Sequence, residues 1–285
     1  MNSLNHKLGG LRGRGYRRFI PGNRLLRAHA RRKRAMSYLN PQLNLVKKWI
    51  WEDSAISNHY YKITNLNKIH LSHLIADVTA QDLGKISKYL DEIENDLDLR
   101  SQIQLSMYGA NSGKAQIEFG RRIGWYAVIR ATKPKLVVET GVHHGLGACV
   151  IAKALHENQS EGFPGRYIGT DIDTSAGRLF TEKFQDAGEI KFGDSIQTLN
   201  EINEKIGVFI NDSDHSKDYE YREYKTIENL IDEDSIILGD NSHISNSLSK
   251  FSEEKGRSFI FFAEKPENHW YPGAGIGISF CRHKK

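Results

Sequence analysis

Apolar positions along the chain keep two different periods. Leu71, Leu74, Ile75 and Val78 recur at helical spacing, and Leu83, Ile86, Leu90, Ile93 and Leu97 do so more regularly. Thr79 and Asp82 have the spacing of a capping box at the start of the second run. These runs predict a small helical domain or lid over 54–107. A third helix, over 115–131, carries Ile117, Ile123, Trp125, Tyr126 and Ile129 and leads into the rest of the chain.

Beyond residue 134 the pattern changes to short apolar runs. Leu136–Thr140, Tyr167–Ile172, Glu189–Gly193, Val208–Ile210, Ser235–Leu238, Phe259–Ala263 and Ile276–Cys281 read as strands. Helical patterns such as Leu146–His156 and Tyr219–Ile231 fill the gaps after the first five. Continuous apolar runs are what strands buried on both faces look like, and crossover helices between them imply a parallel sheet. Only a loop joins the last two strands, so one of them is expected to run antiparallel. The fold class is therefore α/β, a doubly wound, seven-stranded, mostly parallel sheet. The expected division is a basic arm over 1–52, a helical region over 53–133 and the sheet domain over 134–285.

Composition adds one asymmetry. Hydrophobic residues make up 39% of the 285 positions and charged residues 26%, which excludes a disordered acidic chain. No apolar run approaches the roughly 20 residues of a membrane span. The formal charge of +5 divides unevenly: residues 1–51 hold 13 Lys/Arg and no acid, leaving 27 basic against 35 acidic residues in the remainder. Segment 1–21, with four glycines among arginines, reads as a flexible tail, and 23–39 as a basic helix. The arm lacks the apolar core of a secretory signal. An anionic surface, lipid or nucleic acid, is its expected partner. Cys149 and Cys281 cannot build a disulfide framework, which points to a reducing, cytoplasmic setting.

The chemistry gathers at the strand ends. The first strand runs into Glu139-Thr140-Gly141, then Gly145-Leu146-Gly147 at the start of a helix. Glycines at such a turn let a ligand approach the backbone, and the helix N-terminus offers free N–H groups. The spacing is neither the dinucleotide fingerprint nor a Walker loop. Glu139 places a carboxylate where a cationic ligand group could sit. Asp171 ends the second strand and suits bidentate bonding to ribose hydroxyls. Asp194 and Ser195 end the third, where they could face an adenine amino group. His143 and His144 lie inside the glycine loop.

These residues resemble motifs one to three of class I S-adenosylmethionine-dependent methyltransferases. In strand order and motif placement the likeness covers 134–283. It is nearest to the small-molecule O-methyltransferase branch, with its macrocin-type and catechol-type enzymes. Gly124-Trp125-Tyr126 and the stretch from His269 to Gly273 are also similar to a bacterial subgroup of that branch. The resemblance implies a Rossmann-like methyltransferase fold and S-adenosyl-L-methionine as donor.

Strand four runs into Asp212-Ser213-Asp214-His215 and strand five into Asp240-Asn241. In a parallel sheet these tips are neighbours. Asp212, Asp240 and Asn241 would give a hard cation such as Mg²⁺ three oxygen ligands, with Asp214 competing for the place of Asp212. The layout resembles the magnesium site of catechol-type enzymes, and the resemblance implies that His215 is a general base. Asp212 also belongs with the donor-binding set. Trp270 and Tyr271 could wall an acceptor pocket.

The leading expectation is methyl transfer to a hydroxyl of a small molecule, a sugar or natural product, assisted by Mg²⁺, with a homo-oligomer as the assembly. A nucleic-acid methyltransferase anchored by the arm, and a non-catalytic donor-binding protein, are the alternatives. Against the first of these, the arm has few aromatic residues and the body is acidic.

Overall fold

The computed structural model describes residues 23–51, 61–108 and 117–282. The segment read as a flexible tail, 1–21, lies outside the described residues. The chain divides into two compact units, 1–51 and 52–285. In the first, α1 spans Asn23–Trp49, ten residues further than the basic pattern predicts, with Pro41 inside it.

In the second unit, helices α2 (Asn65–Thr79), α3 (Leu83–Glu94), α4 (Leu97–Tyr108) and α5 (Arg122–Thr132) precede the sheet. Then come β1 (Leu136–Thr140), α6 (Leu146–Ser160), β2 (Arg166–Asp171), α7 (Glu182–Gln185), β3 (Gly188–Phe192) and α8 (Ser195–Asn200). They are followed by β4 (Val208–Asn211), α9 (Lys217–Thr226), β5 (Ile236–Asp240), α10 (Ser247–Glu254), β6 (Ser258–Phe262) and β7 (Ile276–Phe280). The seven strands form one sheet in the order β3-β2-β1-β4-β5-β7-β6. Only β7 runs against its neighbours, pairing antiparallel with β5 and β6.

Each central strand supplies both cores because its side chains alternate. Val137 joins the face covered by α2, α3, α5 and α6, whereas Leu136 and Val138 join the face covered by α8, α9 and α10. β1, β4, β5 and β7 are buried throughout, but the edge strands β3 and β6 are only partly so. The helices before the sheet share its first core: Leu71, Ile86, Leu90 and Ile103 lie in one cluster with Trp125 and Val137.

Three local expectations change. Asp82 by itself caps α3, its Oδ1 accepting the Lys85 N–H at 3.0 Å, while Thr79 closes the preceding helix by bonding Ile75 O. The third helix begins at Arg122, not near 115, because Gly120 takes φ +52 and turns the chain there; residues 115 and 116 lie outside the described residues. Between β2 and β3 stands only the four-residue α7. The preceding segment braces the glycine loop instead: Gly177 N–H bonds His143 O at 2.7 Å and Leu179 N–H bonds His144 O at 3.0 Å.

Candidate active site

The ends of β1 to β4 surround a pocket of about 380 Å³. Gly141, Asp171, Asp194, Ser195 and Asp212 line it, so five of the expected donor-site residues meet there. His143, Ile172, Asp214 and Tyr219 complete much of the wall. Gly141 has φ +85, and a Cβ on it would run into the backbone of Asp212 and Ser213. Only glycine lets β1 and β4 close so tightly at this point.

Asp171 accepts the His143 N–H at 2.7 Å on Oδ2 and the Asp173 N–H at 2.9 Å on Oδ1. A carboxylate has about four acceptor sites, so two remain for ribose hydroxyls. The pocket and this spare capacity fit an adenosyl group. Asp194 caps α8, accepting the Ile196 N–H at 2.8 Å, and Ser195 lies 2.9 Å from the Tyr219 hydroxyl. Ser195 also donates to Glu223, a buried acid of α9 that takes bonds from Asn211 and Ser213 as well. Burial raises the Glu223 carboxyl above its ordinary range, against the hydrogen bonds from Ser195, Ser213 and Asn211. One carboxyl thus ties the β4 tip to the start of α8.

Glu139 behaves otherwise than expected. It is 1% exposed and is not among the residues lining the pocket. Its Oε2 accepts the Tyr167 hydroxyl at 2.5 Å, and its other oxygen fills the space a side chain at 147 would need. Burial pushes the carboxyl up to about 7, against the Tyr167 bond and Arg122. Its place is beneath the loop because Gly147 leaves room there. Thr140, Gly145, Leu146 and Gly147 likewise shape the turn from outside the pocket wall, with Gly145 at φ +93 heading α6.

Beside the pocket, the tips of β4 and β5 converge as expected. The ligating atoms of Asp212, His215 and Asp240 all lie within 4.8 Å of one another. His215 Nε2 is 3.9 Å from Asp212 Oδ1 and 3.0 Å from Asn241 Nδ2, and Asn241 Nδ2 also bonds Asp240 Oδ2 at 2.8 Å. Trp270 and Tyr271 sit in the loop between β6 and β7, and the Tyr271 ring lies 5.8 Å from that of Tyr61.

Two arginines absent from the sequence expectations occupy this junction. Arg121 donates from Nε to Asp240 Oδ1, and both side chains are nearly inaccessible, at 4% and 1%. Arg121 and Arg122 also bring Nη2 atoms to 3.9 and 3.7 Å from Asp212 Oδ2. Burial and the neighbouring Asp240 drive the Asp212 carboxyl well above the ordinary range, against both arginines. Burial also works on Asp240, but Arg121, the hydrogen bond with Asp212 and Arg122 together outweigh it and hold that carboxyl low. The adjacent arginines heading an apolar helix were the available sequence signal. They lie far in sequence from the strand tips, so spacing alone could not connect them.

The same geometry tests the metal expectation. The oxygen and nitrogen donors are close enough to share an ion, but Asp240 is already bonded to a buried guanidinium. Unit charges about 4 Å apart interact by about 4 kcal/mol at an effective dielectric near 20. A divalent ion sharing Asp240 would meet about twice that in repulsion from Arg121 alone. On charge, the residues do not fit a divalent cation.

Residues 138–242 match the sequence profile of a family described as a methyltransferase domain. No curated protein matches the chain. Among solved structures, it is similar to the O-methyltransferase TomG from Streptomyces achromogenes, involved in tomaymycin synthesis and in complex with SAM. That likeness has 11% identity and a TM-score of 0.50, and covers 68% of this chain and 93% of the other. It is also similar to the SAH-bound methyltransferase PaMTH1 from Podospora anserina, at 15% identity and a TM-score of 0.49, covering 70% and 95%. A methyltransferase from Geobacter sulfurreducens gives 15%, 0.48, and coverage of 70% and 97%. Residues 138–242 are thus similar to a methyltransferase domain, and the order of the seven-stranded sheet belongs to a fold shared with TomG.

Proposed function

We propose that the chain transfers a methyl group from S-adenosylmethionine to a hydroxyl of a small molecule, with His215 taking the hydroxyl proton. The observation that carries this reading is the position of Asp212. It lines the donor pocket and stands in the cluster with His215 and Asp240, so the two sites share a wall. TomG, similar in fold, is an O-methyltransferase involved in tomaymycin synthesis, and that likeness supports a hydroxylated small molecule as acceptor.

Bound S-adenosylmethionine supplies an already activated, electrophilic methyl group. The chain has to hold the donor, orient the acceptor and remove a proton. Asp171 and Asp194 would hold the two ends of the adenosine. Gly141 keeps the loop against the β4 tip, so the pocket floor is fixed before anything binds. His215 Nδ1 is buried with no hydrogen-bond partner among the described residues, and an imidazole accepts and releases protons at physiological pH.

The test joins binding to chemistry. Calorimetric titration with S-adenosylhomocysteine should show one site per chain. A radiolabelled-methyl screen of sugars, catechols and other hydroxylated compounds should identify an acceptor. On that acceptor, His215→Ala should lower turnover by roughly 10²–10⁴ and leave product affinity unchanged. Absence of product binding would refute the donor assignment. Methylation of nucleic acid in place of every small hydroxyl compound would refute the acceptor class.

A further inference from the structure

The guanidinium pair at the β4–β5 junction has a consequence for how the acceptor is activated. Arg121 is buried, bonds Asp240 directly and lies over the Trp125 ring at 5.8 Å, so it has no free path away from the carboxylate. Arg122 lies over the same ring at 5.3 Å. Its Nε and Nη1 are buried with no hydrogen-bond partner among the described residues.

We propose, resting on the hydroxyl-methylation reading above, that Arg121 and Arg122 take the place of a divalent cation, so that methyl transfer by this chain needs no metal. A cation in such a site performs two tasks: it cancels the repulsion between neighbouring carboxylates, and it holds and polarises the acceptor oxygen. Arg121 performs the first at Asp240. Arg122 faces Asp212 and keeps two nitrogens, Nε and Nη1, whose N–H groups can donate to a ligand oxygen. Arginine remains charged at any physiological pH and presents its donors in a fixed planar fork, so it does both without an ion. Formal charge points the same way. Even with both carboxylates ionised, two guanidinium groups bring the sum to zero, and a divalent ion would leave an excess of two positive charges in a buried site. The transfer balances without a further reactant. The acceptor oxygen bonds the methyl carbon as the carbon–sulfur bond breaks, the electron pair stays on sulfur, and the hydroxyl proton passes to His215.

The test reads metal binding itself. Mn²⁺ is titrated into the full chain, with and without S-adenosylhomocysteine, and the free-ion electron paramagnetic resonance signal is followed. The wild type should leave that signal undiminished up to about 1 mM Mn²⁺ in both conditions. Arg121→Met leaves Asp240 without its guanidinium partner and should tighten Mn²⁺ binding by roughly tenfold or more. Stoichiometric manganese on the wild type, lost in Asp240→Asn, would overturn the proposal. A folded Arg121→Met variant that still ignores manganese would overturn it too. Should circular dichroism show that variant unfolded, the wild-type and Asp240→Asn pair decides alone. Calorimetry on the same samples separates the two readings: failure to bind S-adenosylhomocysteine refutes the donor assignment, whereas manganese bound beside it refutes only the metal-free site.

Discussion

Glu139 and Asp171 carry similar charges at neighbouring strand ends and do opposite things. Glu139 is held in the interior with its carboxyl raised to about 7, against an ordinary glutamate value of about 4.3. Between these values the folded chain binds a proton that the unfolded chain does not, so stability falls as pH rises from about 4.3 through 7. Above pH 7 the cost is fully present, on the order of 3 kcal/mol. Glu139→Gln should therefore match the wild type in melting temperature near pH 4.5 and exceed it at pH 8. Equal pH profiles for the two proteins would show that Glu139 is not buried as described. Asp171, by contrast, remains half-exposed with acceptor capacity to spare. Two charge-assisted bonds to ribose are worth about 1.5–3 kcal/mol each, so Asp171→Ala should weaken S-adenosylhomocysteine binding at least a hundredfold by calorimetry. It should also loosen the glycine loop, because the His143 N–H loses its partner. Unchanged affinity would remove Asp171 from the donor site.

At the scale of elements, short polar segments decide where regular structure stops. Asp82 terminates the turn after α2 and starts α3 by giving an oxygen to an otherwise unpaired backbone N–H. Asp82→Ala should cost about 1 kcal/mol, visible as a lower urea midpoint with an unchanged slope. A larger loss, or an altered slope, would mean that the turn does more than cap a helix. The strand runs were legible in the sequence because central strands are apolar on both faces, and all seven were expected within one or two residues of their positions. The stretch after β2 was not. Its Asp173 and Ser175 close a local turn, while Gly177 and Leu179 bond His143 and His144 of the glycine loop, and no local period announces such a distant partner.

On the scale of the whole molecule, charge and packing divide at the same place. Among the described residues, every member of the two hydrophobic clusters lies at position 61 or later, while residues 1–51 carry 13 basic side chains and no acid. A chain of residues 52–285 should keep the melting temperature of the full protein and still bind S-adenosylhomocysteine. It should also lose retention on a heparin column, with the full chain eluting at a salt concentration that reflects charge screening. A drop in melting temperature, or retention of the shortened chain, would locate the contribution of the arm elsewhere.

The alternation of apolar runs and helical periods was enough to give the α/β class, the seven strands and the acids at their tips, because those are local properties of the chain. Glu139-to-Gly147, Asp171, Asp194 and Asp212 through Asn241 were visible for the same reason: each directly follows a strand that can be read. Which of those acids line the pocket was settled only in three dimensions. Gly147 leaves a space that Glu139 fills, and the packing of α5 brings Arg121, just before its first residue, to Asp240 across 119 positions of sequence. Spacing along a chain fixes what ends a strand. The charge that comes to rest beside it depends on how the helices pack, and here that packing places arginine where the sequence suggested a metal.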